Sequence, residues 1–599
     1  MDLWEGVTLD YKVVLGYGIA MRMEKQEQAL INGPIDTLVS NPDGTFGHTG
    51  LPTTINFDDA NRNFDKGSLL NNRASAYGEM RIGGERFGGV ASGAYFYDQV
   101  FHESNDNTSE DTVNNDFEAA RSGNRTVPVN SFTAAARATS GERHRLLEAY
   151  VYGDLSLGES IALNVRYGRH LAAWGESLFF PGIVAAQGPF DATKSFVPGA
   201  EVKEILLPAK QLSINLALTS SLTAVGLYQF EFKPTEIFAV GDFFSPADLV
   251  GPGGSFGYSS VNPLAGQPCT DPNNLPDNQT ELILCAAVLA GGALSDSPQT
   301  ILLPREPDLL PDEKDKPWGA GLKYQLTPEL NIGAYYLRYH NHNPFVRLNM
   351  GYAYLGAAAG TPITTELLGQ RVPVSYNVGY ADNIEMTAAS FSTVLWGLNI
   401  GGELIQRKNV DTSVAADISN VRSPVATRGD TTQAQISWLY VINPDFLIYD
   451  ELVVVGEAGW LHVDNVTPAP VEDGINYLGN RDVLFYDKES SAVQLQILTK
   501  GRNVFSGWDL GTPVSFAWLI DGTPSTPGAF GSLYGEGDMR YSAGITLQYL
   551  QNMEFSVTYN GFLGDPNRHI GQGSYGSSTL KANPYVDHDF LTFNVKYNL

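Results

Sequence analysis

The sequence predicts an all-β chain that closes into a transmembrane antiparallel barrel of about 18 strands, with about 16 as the alternative count. Three observations carry that expectation. Segment after segment alternates apolar and hydrophilic side chains with period two, which sends the two sets to opposite faces of a strand. The connections between these segments alternate strictly between tight turns and long loops, as they do when one end of a barrel is trimmed and the other elaborated. Finally, 43% of the 599 residues are hydrophobic, yet no apolar run reaches the ~20 residues of a membrane-spanning helix. The longest, Leu282 to Leu294, is too short, so a membrane reading requires strands.

The elements follow in order. Met1-Asp2-Leu3-Trp4 leads almost directly into the first strand with neither a basic nor an apolar leader region, which reads as a mature chain carrying a start methionine. From Val7 to Met23, Leu9, Tyr11, Val13, Leu15, Tyr17 and Ile19 share one face, and Asp10, Lys12 and Arg22 lie on the other. Charges opposite an apolar stripe suggest a wet lumen. Strands are expected in pairs around short turns: Arg73–Ile82 with Phe87–Phe101, Leu147–Leu157 with Ile161–Arg169, Gln211–Thr219 with Leu222–Lys233, and Trp318–Leu326 with Leu330–Tyr339. Ile384–Val394 with Leu398–Arg407, Thr432–Val441 with Tyr449–His462, and Ala492–Thr499 with Val514–Ile520 continue the series. The clearest hairpin sets Tyr541, Ala543, Ile545, Leu547 and Tyr549 against Met553, Phe555, Val557 and Tyr559. Phe590–Leu599 is a complete strand at the end of the chain, as a barrel seam needs. The whole chain, 1–599, is thus one barrel, with outer loops at 24–72, 102–142, 170–210, 234–317, 340–383, 408–431, 463–490, 521–539 and 564–589.

Lys and Arg number 38 against 66 Asp and Glu, a net charge of −28 that argues against nucleic acid as a partner. Acidic outer loops suit divalent-cation bridging beside anionic lipid, and the run Asp312-Glu313-Lys314-Asp315 offers at most a loose Ca2+ site; no other cofactor and no tight metal site is expected. Cys269 and Cys285 share one outer loop, where a disulfide is the default outside the cytoplasm. The apolar stretch between and beyond them, 280–294, reads as a short helix in search of a surface to cover.

The loop after Arg169 is the most informative for function. It reads Trp174-Gly175-Glu176, then Phe179-Phe180-Pro181-Gly182 and Phe196, and later Pro198-Gly199-Ala200-Glu201-Val202-Lys203-Glu204. Apolar bulk in a segment that should face water points either to a lid packed on itself or to a segment folded into the barrel. In the second case Trp174, Glu176, Phe179, Phe180 and Phe196 border an apolar route, joined by Phe243 and Phe244 from the next loop. Lys12, Arg22, Arg169, Glu201, Lys203 and Glu204 are the polar residues expected toward the lumen.

Together with Tyr228-Gln229-Phe230-Glu231, Phe243-Phe244-Ser245, Asn56-Phe57-Asp58-Asp59 and Asn61-x-Asn63-Phe64, these motifs resemble a Gram-negative family of barrels of about this length, long catalogued as a domain of unknown function. The resemblance extends over nearly the whole chain. It is greatest to a marine alkane-uptake branch regarded as distantly related to the FadL fatty-acid channels, and it implies passive outer-membrane import of hydrophobic molecules, with periplasmic or inner-membrane partners and the outer-membrane lipid and lipopolysaccharide as surroundings. Oligomerisation stays open. The early first strand leaves no room for the N-terminal hatch of FadL, so any plug must come from the loops. A porin for small polar or aromatic-acid solutes is the alternative, and a membrane-embedded lipid hydrolase a third; an enzyme is not expected. Gly253-x-Ser255-x-Gly257 and Gly571-x-Gly573-x-x-Gly576 match catalytic and nucleotide-binding patterns without the strand-to-helix context those patterns need. His340 and His342 read as a solvated strand end.

Overall fold

Period-two alternation becomes eighteen wall strands in the computed structural model. It describes residues 2–4, 6–31, 36–40, 46–48, 54–109, 112, 127–156, 161–194, 205–261, 299–358, 361–418, 421–444, 448–566 and 583–599. The first nine strands are β1 (Val7–Arg22), β2 (Leu69–Gly83), β3 (Phe87–Asp98), β4 (Glu142–Ser156), β5 (Ala162–His170), β6 (Ala209–Ala217), β7 (Leu222–Gln229), β8 (Trp318–Gln325) and β9 (Asn331–Tyr339). Then come β10 (Ile384–Leu395), β11 (Leu398–Ile418), β12 (Val421–Ile442), β13 (Glu451–Val466) and β14 (Glu489–Phe505). Strand β15 is broken by Thr512-Pro513 into Trp508–Gly511 and Val514–Asp521, both laid between the same two neighbours. The series ends with β16 (Met539–Tyr549), β17 (Met553–Leu563) and β18 (Phe590–Asn598).

Each strand pairs antiparallel with the next, and β18 returns to β1 in a register running from Val14 opposite Asn598 to Arg22 opposite Phe590. Closure leaves no unpaired edge, which is what a wall in hydrocarbon requires because lipid cannot satisfy backbone N–H and C=O groups. The outward parity carries the oily residues: Tyr11, Leu15 and Tyr17 on β1, Leu322 and Tyr324 on β8, Ile545 on β16 and Val557 on β17 are all exposed. A soluble protein does not display such a continuous belt. The opposite parity carries the small and polar set, Lys12 facing Glu79 across the β1–β2 ladder and Glu403 facing Gln435 across β11–β12.

Short turns gather at one end and long loops at the other, with one departure from expectation. Residues 408–431 are not a loop. A bulge after Arg407, where Asn409 takes φ +65°, re-aims β11 and β12, which then run on as a paired ribbon to Ile418 and Val421. Their alternation above the bulge lacks outward oily residues because this part stands beyond the belt, and that concealed it. The loop-end core is aromatic. Phe64, Phe101, Phe132, Phe243, Phe562 and Phe590 pack together there, with Phe101 and Phe132 at 4.8 Å between ring centroids and Phe64 and Phe243 edge-on at 5.6 Å.

Candidate functional site

The loop between β5 and β6 turns inward and plugs the half of the lumen bounded by β7 to β15. Trp174 stacks on Tyr335 of β9 at 5.9 Å, and Phe180 meets Phe530 edge-on at 5.3 Å beside Leu461 of β13 and Leu519 of β15. Ile183 is fully buried against the β9–β11 wall. A loop taken out of water must find partners for its amides, and two carboxylates on the wall supply them. Glu403 of β11 accepts from the N–H of Glu176 at 2.5 Å, Ser177 at 3.0 Å and Ile183 at 2.8 Å. Glu457 of β13 accepts from the next three amides, Leu178 at 3.3 Å, Phe179 at 2.5 Å and Phe180 at 2.8 Å.

The reverse polarity is met as well. Arg407 donates to the Gly182 carbonyl at 3.0 Å, Gln433 to that of Pro181 at 3.3 Å, and Ser437 to that of Glu176 at 3.1 Å. Gln187 ties the plug to itself, accepting from the Trp174 N–H at 2.7 Å and donating to its carbonyl at 3.0 Å. Gly175 and Gly182 flank Glu403 so closely that a Cβ at either would overlap its carboxylate oxygens, which explains the glycines in Trp-Gly-Glu and Phe-Pro-Gly. Burial pushes the Glu176 carboxyl above its usual range, against the pull of Lys323.

Cavities lie on both sides of the plug. The one toward the loops, about 60 Å³, is lined by Pro181, Ala185, Phe190, Ile384, Val410 and Leu461 among others, with Asn341, His342, Asn343, Arg407, Gln433 and Thr526 as its polar lining. The one toward the turns, about 310 Å³, is lined by Glu176, Leu178, Asn331, Ser392, Val394 and Leu439 among others. The rest of the lumen is different. Along β1 to β5 the inward parity presents Lys12, Glu79, Arg81, Glu148 and Arg166, a charged corridor in which Arg166 lies over Tyr150 at 5.8 Å.

The residues singled out from the sequence distribute unevenly. Trp174, Phe179 and Phe180 are buried inside the docked plug, where they serve as its packing core in this arrangement. Phe243 and Phe244 belong instead to the aromatic core of the loops, ring to ring at 4.8 Å, far along the chain from the plug but joined to β1 and β18. Lys12 has the lumen parity. Arg22 is fully buried at the loop end of β1, paired with Asp587 at 3.0 Å and donating to the carbonyls of Asn61 and Phe64. Burial raises and His588 and Arg22 lower the Asp587 carboxyl, and the net shift is downward. Arg169 shares the parity of the outward-facing Tyr167 and sits at the loop-end rim near Glu231, at 3.5 Å, so it is not a lumen residue. Phe196, Glu201, Lys203, Glu204, Cys269, Cys285 and the 280–294 stretch lie outside the described residues.

The Asn56-to-Phe64 motif proves to be a buried tie between loops. Asn63 donates to the Gly241 carbonyl at 2.8 Å, Asn61 to Asp587 at 2.7 Å, and Thr112 to Asp59 at 2.6 Å. Carboxylate oxygens of Asp58, Asp59 and Asp248 lie within 4.8 Å of one another, with Arg62 paired to Asp58 at 3.0 Å. This is the densest acidic grouping among the described residues, not the run 312–315, where Asp315 lies beside Arg338 at 3.9 Å. His340 and His342 are buried rather than solvated: the first meets the Asp315 carbonyl at 2.7 Å and the second the Lys233 carbonyl at 2.5 Å, stacked on Phe232. Burial lowers the His342 pKa to about 4, so the ring is neutral.

Sequence reading missed Glu403 and Glu457. The available signal was a lone acid of lumen parity in mid-strand beside glycine, in Gly401-Gly402-Glu403 and Gly456-Glu457. It also missed a buried serine–histidine contact, His170 Nε2 to Ser213 Oγ at 2.6 Å. There the second ring nitrogen faces the Gly168 carbonyl rather than a carboxylate, so no acid orients the ring for general-base work.

Among solved structures the chain is similar to OpdL of Pseudomonas aeruginosa, at 10% identity over 99% of this chain and 98% of that one with a TM-score of 0.35. It is similar to OccAB4 of Acinetobacter baumannii, at 9% over 99% and 98% with a TM-score of 0.35. The outer membrane channel DcaP of Acinetobacter baumannii is also similar, at 8% over 99% and 98% with a TM-score of 0.32. No curated protein matches. A family model described as "Protein of unknown function (DUF1302)" matches residues 1–599, and the chain belongs to that family.

Proposed function

We propose that the protein is a passive outer-membrane channel for small hydrophobic molecules, alkanes and long-chain fatty acids among them, gated by displacement of the 174–187 plug. The observation that carries the reading is the pairing of cavities across the plug: the entry-side cavity has mostly apolar walls, and the larger one opens toward the turns. Ligand desolvation supplies about 0.8 kcal/mol per buried methylene, so a chain-like molecule needs few polar contacts along an apolar route widened by displacement of the plug. Trp174-Gly175-Glu176 and Phe180-Pro181-Gly182 of the plug are among the motifs, spread over nearly the whole chain, by which it resembles the family that includes the alkane-uptake branch, and this supports the same substrate class. The outward oily belt supports residence in a bilayer, with lipopolysaccharide around the loops and periplasmic turns beneath. Transport is downhill, and a partner on the turn side would draw ligand away. The acidic loops would bind Ca2+ loosely.

A second reading has its own support. The corridor of Lys12, Glu79, Arg81, Glu148 and Arg166 suits small polar solutes or aromatic acids. Two measurements separate the readings. Hydrophobic transport predicts hydrocarbon uptake by cells expressing the protein, and only small, intermittent currents in planar bilayers. Large steady currents together with absent hydrocarbon uptake would overturn the first reading in favour of the second.

A further inference from the structure

The cavity on the loop side of the plug contains polar atoms that an apolar route alone does not call for. Nε2 of His342 and Oγ1 of Thr526 are buried without a hydrogen-bond partner among the described residues, and both residues line this one cavity. His342 is 4% exposed. Its Nδ1 meets the Lys233 carbonyl at 2.5 Å, and one face of its ring stacks on Phe232 at 5.4 Å between centroids. Nδ1 must carry the proton to donate to a carbonyl, and burial keeps the ring neutral. Nε2 is therefore a bare lone pair, and the edge that bears it is the one left for the cavity. A buried acceptor without a donor is costly.

Donors stand in the same lining. Arg407 is 7% exposed and forms no ion pair among the described residues; it donates to Gln433 Oε1 at 2.5 Å and to the Gly182 carbonyl at 3.0 Å, both neutral acceptors. Asn343 Nδ2 lies so near Gly528 that a Cβ there would come within 2.7 Å of it, so the glycine leaves the amide its place in the cavity wall. The volume of about 60 Å³ is several times the roughly 10–15 Å³ that one water needs by this measure. A hydroxyl or carboxyl group fits, and a long alkyl chain does not. The lining calls for a group that donates once, to His342, and accepts from Arg407 or Asn343. A carboxylate ion only accepts and would meet Nε2 lone pair to lone pair. An ammonium only donates and would meet the Arg407 charge. A bare hydrocarbon answers neither demand.

We propose that this cavity is a head subsite for the terminal O–H of an oxygenated hydrophobe, a long-chain alcohol or an undissociated fatty acid, with the hydroxyl donating to His342 Nε2 and oxygen accepting from Arg407 or Asn343. The tail follows the apolar lining, Phe190, Ile384, Val410 and Leu461, as displacement of the plug widens it. The inference rests on the hydrophobic-channel reading for the tail and on the cavity alone for the head.

The probes are 1-octanol, octane and, at mildly acidic pH where His342 stays neutral, octanoic acid. Each is added to the full chain in detergent, with empty micelles as the blank. With all nine histidines labelled with 15N, the Nε2 resonance missing from His342→Phe identifies this ring. Octanol should move that resonance upfield and octane should not. A larger move with octanoic acid, to the position of a protonated ring, would assign the acid as the ligand that passes its proton to Nε2; a move with octanol alone would assign the alcohol. By calorimetric titration, the preference for octanol over octane should fall about 3–10-fold in Thr526→Val and in His342→Phe. A resonance unmoved by all three probes, or a preference undiminished in both variants, would overturn the inference, and is the outcome if water alone fills the cavity. If octane fails to bind while octanol moves the resonance, the head subsite stands and the hydrocarbon reading falls. If octane binds and neither oxygenated probe moves the resonance, the reverse holds.

Discussion

Glu457 holds three consecutive amides of the plug, and Glu403 three more, so the plug's stability is concentrated in two side chains. Hydrogen bonds to a charged acceptor contribute about 1.5–3 kcal/mol each, and amides left buried without an acceptor cost a similar amount. Glu457→Ala should therefore undock the plug, with faster hydrogen exchange over 174–187 and larger bilayer currents, while Glu457→Gln, which keeps one acceptor oxygen, should show an intermediate effect. Unchanged exchange in the alanine variant would mean that packing of Phe180 and Trp174 suffices. Asp242, in the loop after β7, behaves differently. Burial pushes its carboxyl up to about 6, against the pull of Ser140 and Arg73. A folded-state pKa above the ordinary value means that the protonated form is favoured on folding. The contribution is present below about pH 4 and is lost as pH rises through about 6, a change on the order of 2–3 kcal/mol at most. Melting of the loop-end core should accordingly fall between pH 4 and 7, and Asp242→Asn should flatten that slope.

At the scale of elements, the β11–β12 ribbon and the plug carry opposite expectations. The ribbon above the bulge stands beyond the belt and packs Ala416 and Ile418 against Ile475 of the loop after β13. Replacing 411–428 by a two-residue turn should leave the barrel assembled, seen as normal heat-modifiable mobility on gels, while loosening the loops that lean on it. The plug is the reverse case. Replacing 172–188 by a flexible linker should spare assembly too, since β5 and β6 pair directly from Ala162 opposite Ala217 to His170 opposite Ala209, but should convert a quiet barrel into a conducting one. The alternating pattern made both strands visible in the sequence. The destination of the loop between them was not visible, because apolar residues in a loop look the same whether they cap the mouth or enter it.

For the whole molecule, closure is the governing constraint. Strand β18 pairs with β17 on one side and β1 on the other, so a proline at Val595 removes a ladder donor whichever neighbour it faced. Val595→Pro should cost about 3 kcal/mol or more and block assembly; normal heat-modifiable mobility would show that the seam is not essential. The order of strands, their antiparallel pairing and the separation of turn end from loop end were determined by the sequence alone. The reason is local: side-chain parity and turn chemistry act between neighbouring residues, and each hairpin states them again. The sequence also showed that 174–182 was unusual, through aromatics placed where water was expected. Only the tertiary structure decided that Glu403 and Glu457 receive that segment, that Phe243 belongs to a different core, and that Arg169 points away from the lumen. These are meetings between residues separated by scores to hundreds of positions, and they depend on register around a closed wall, which no single strand encodes.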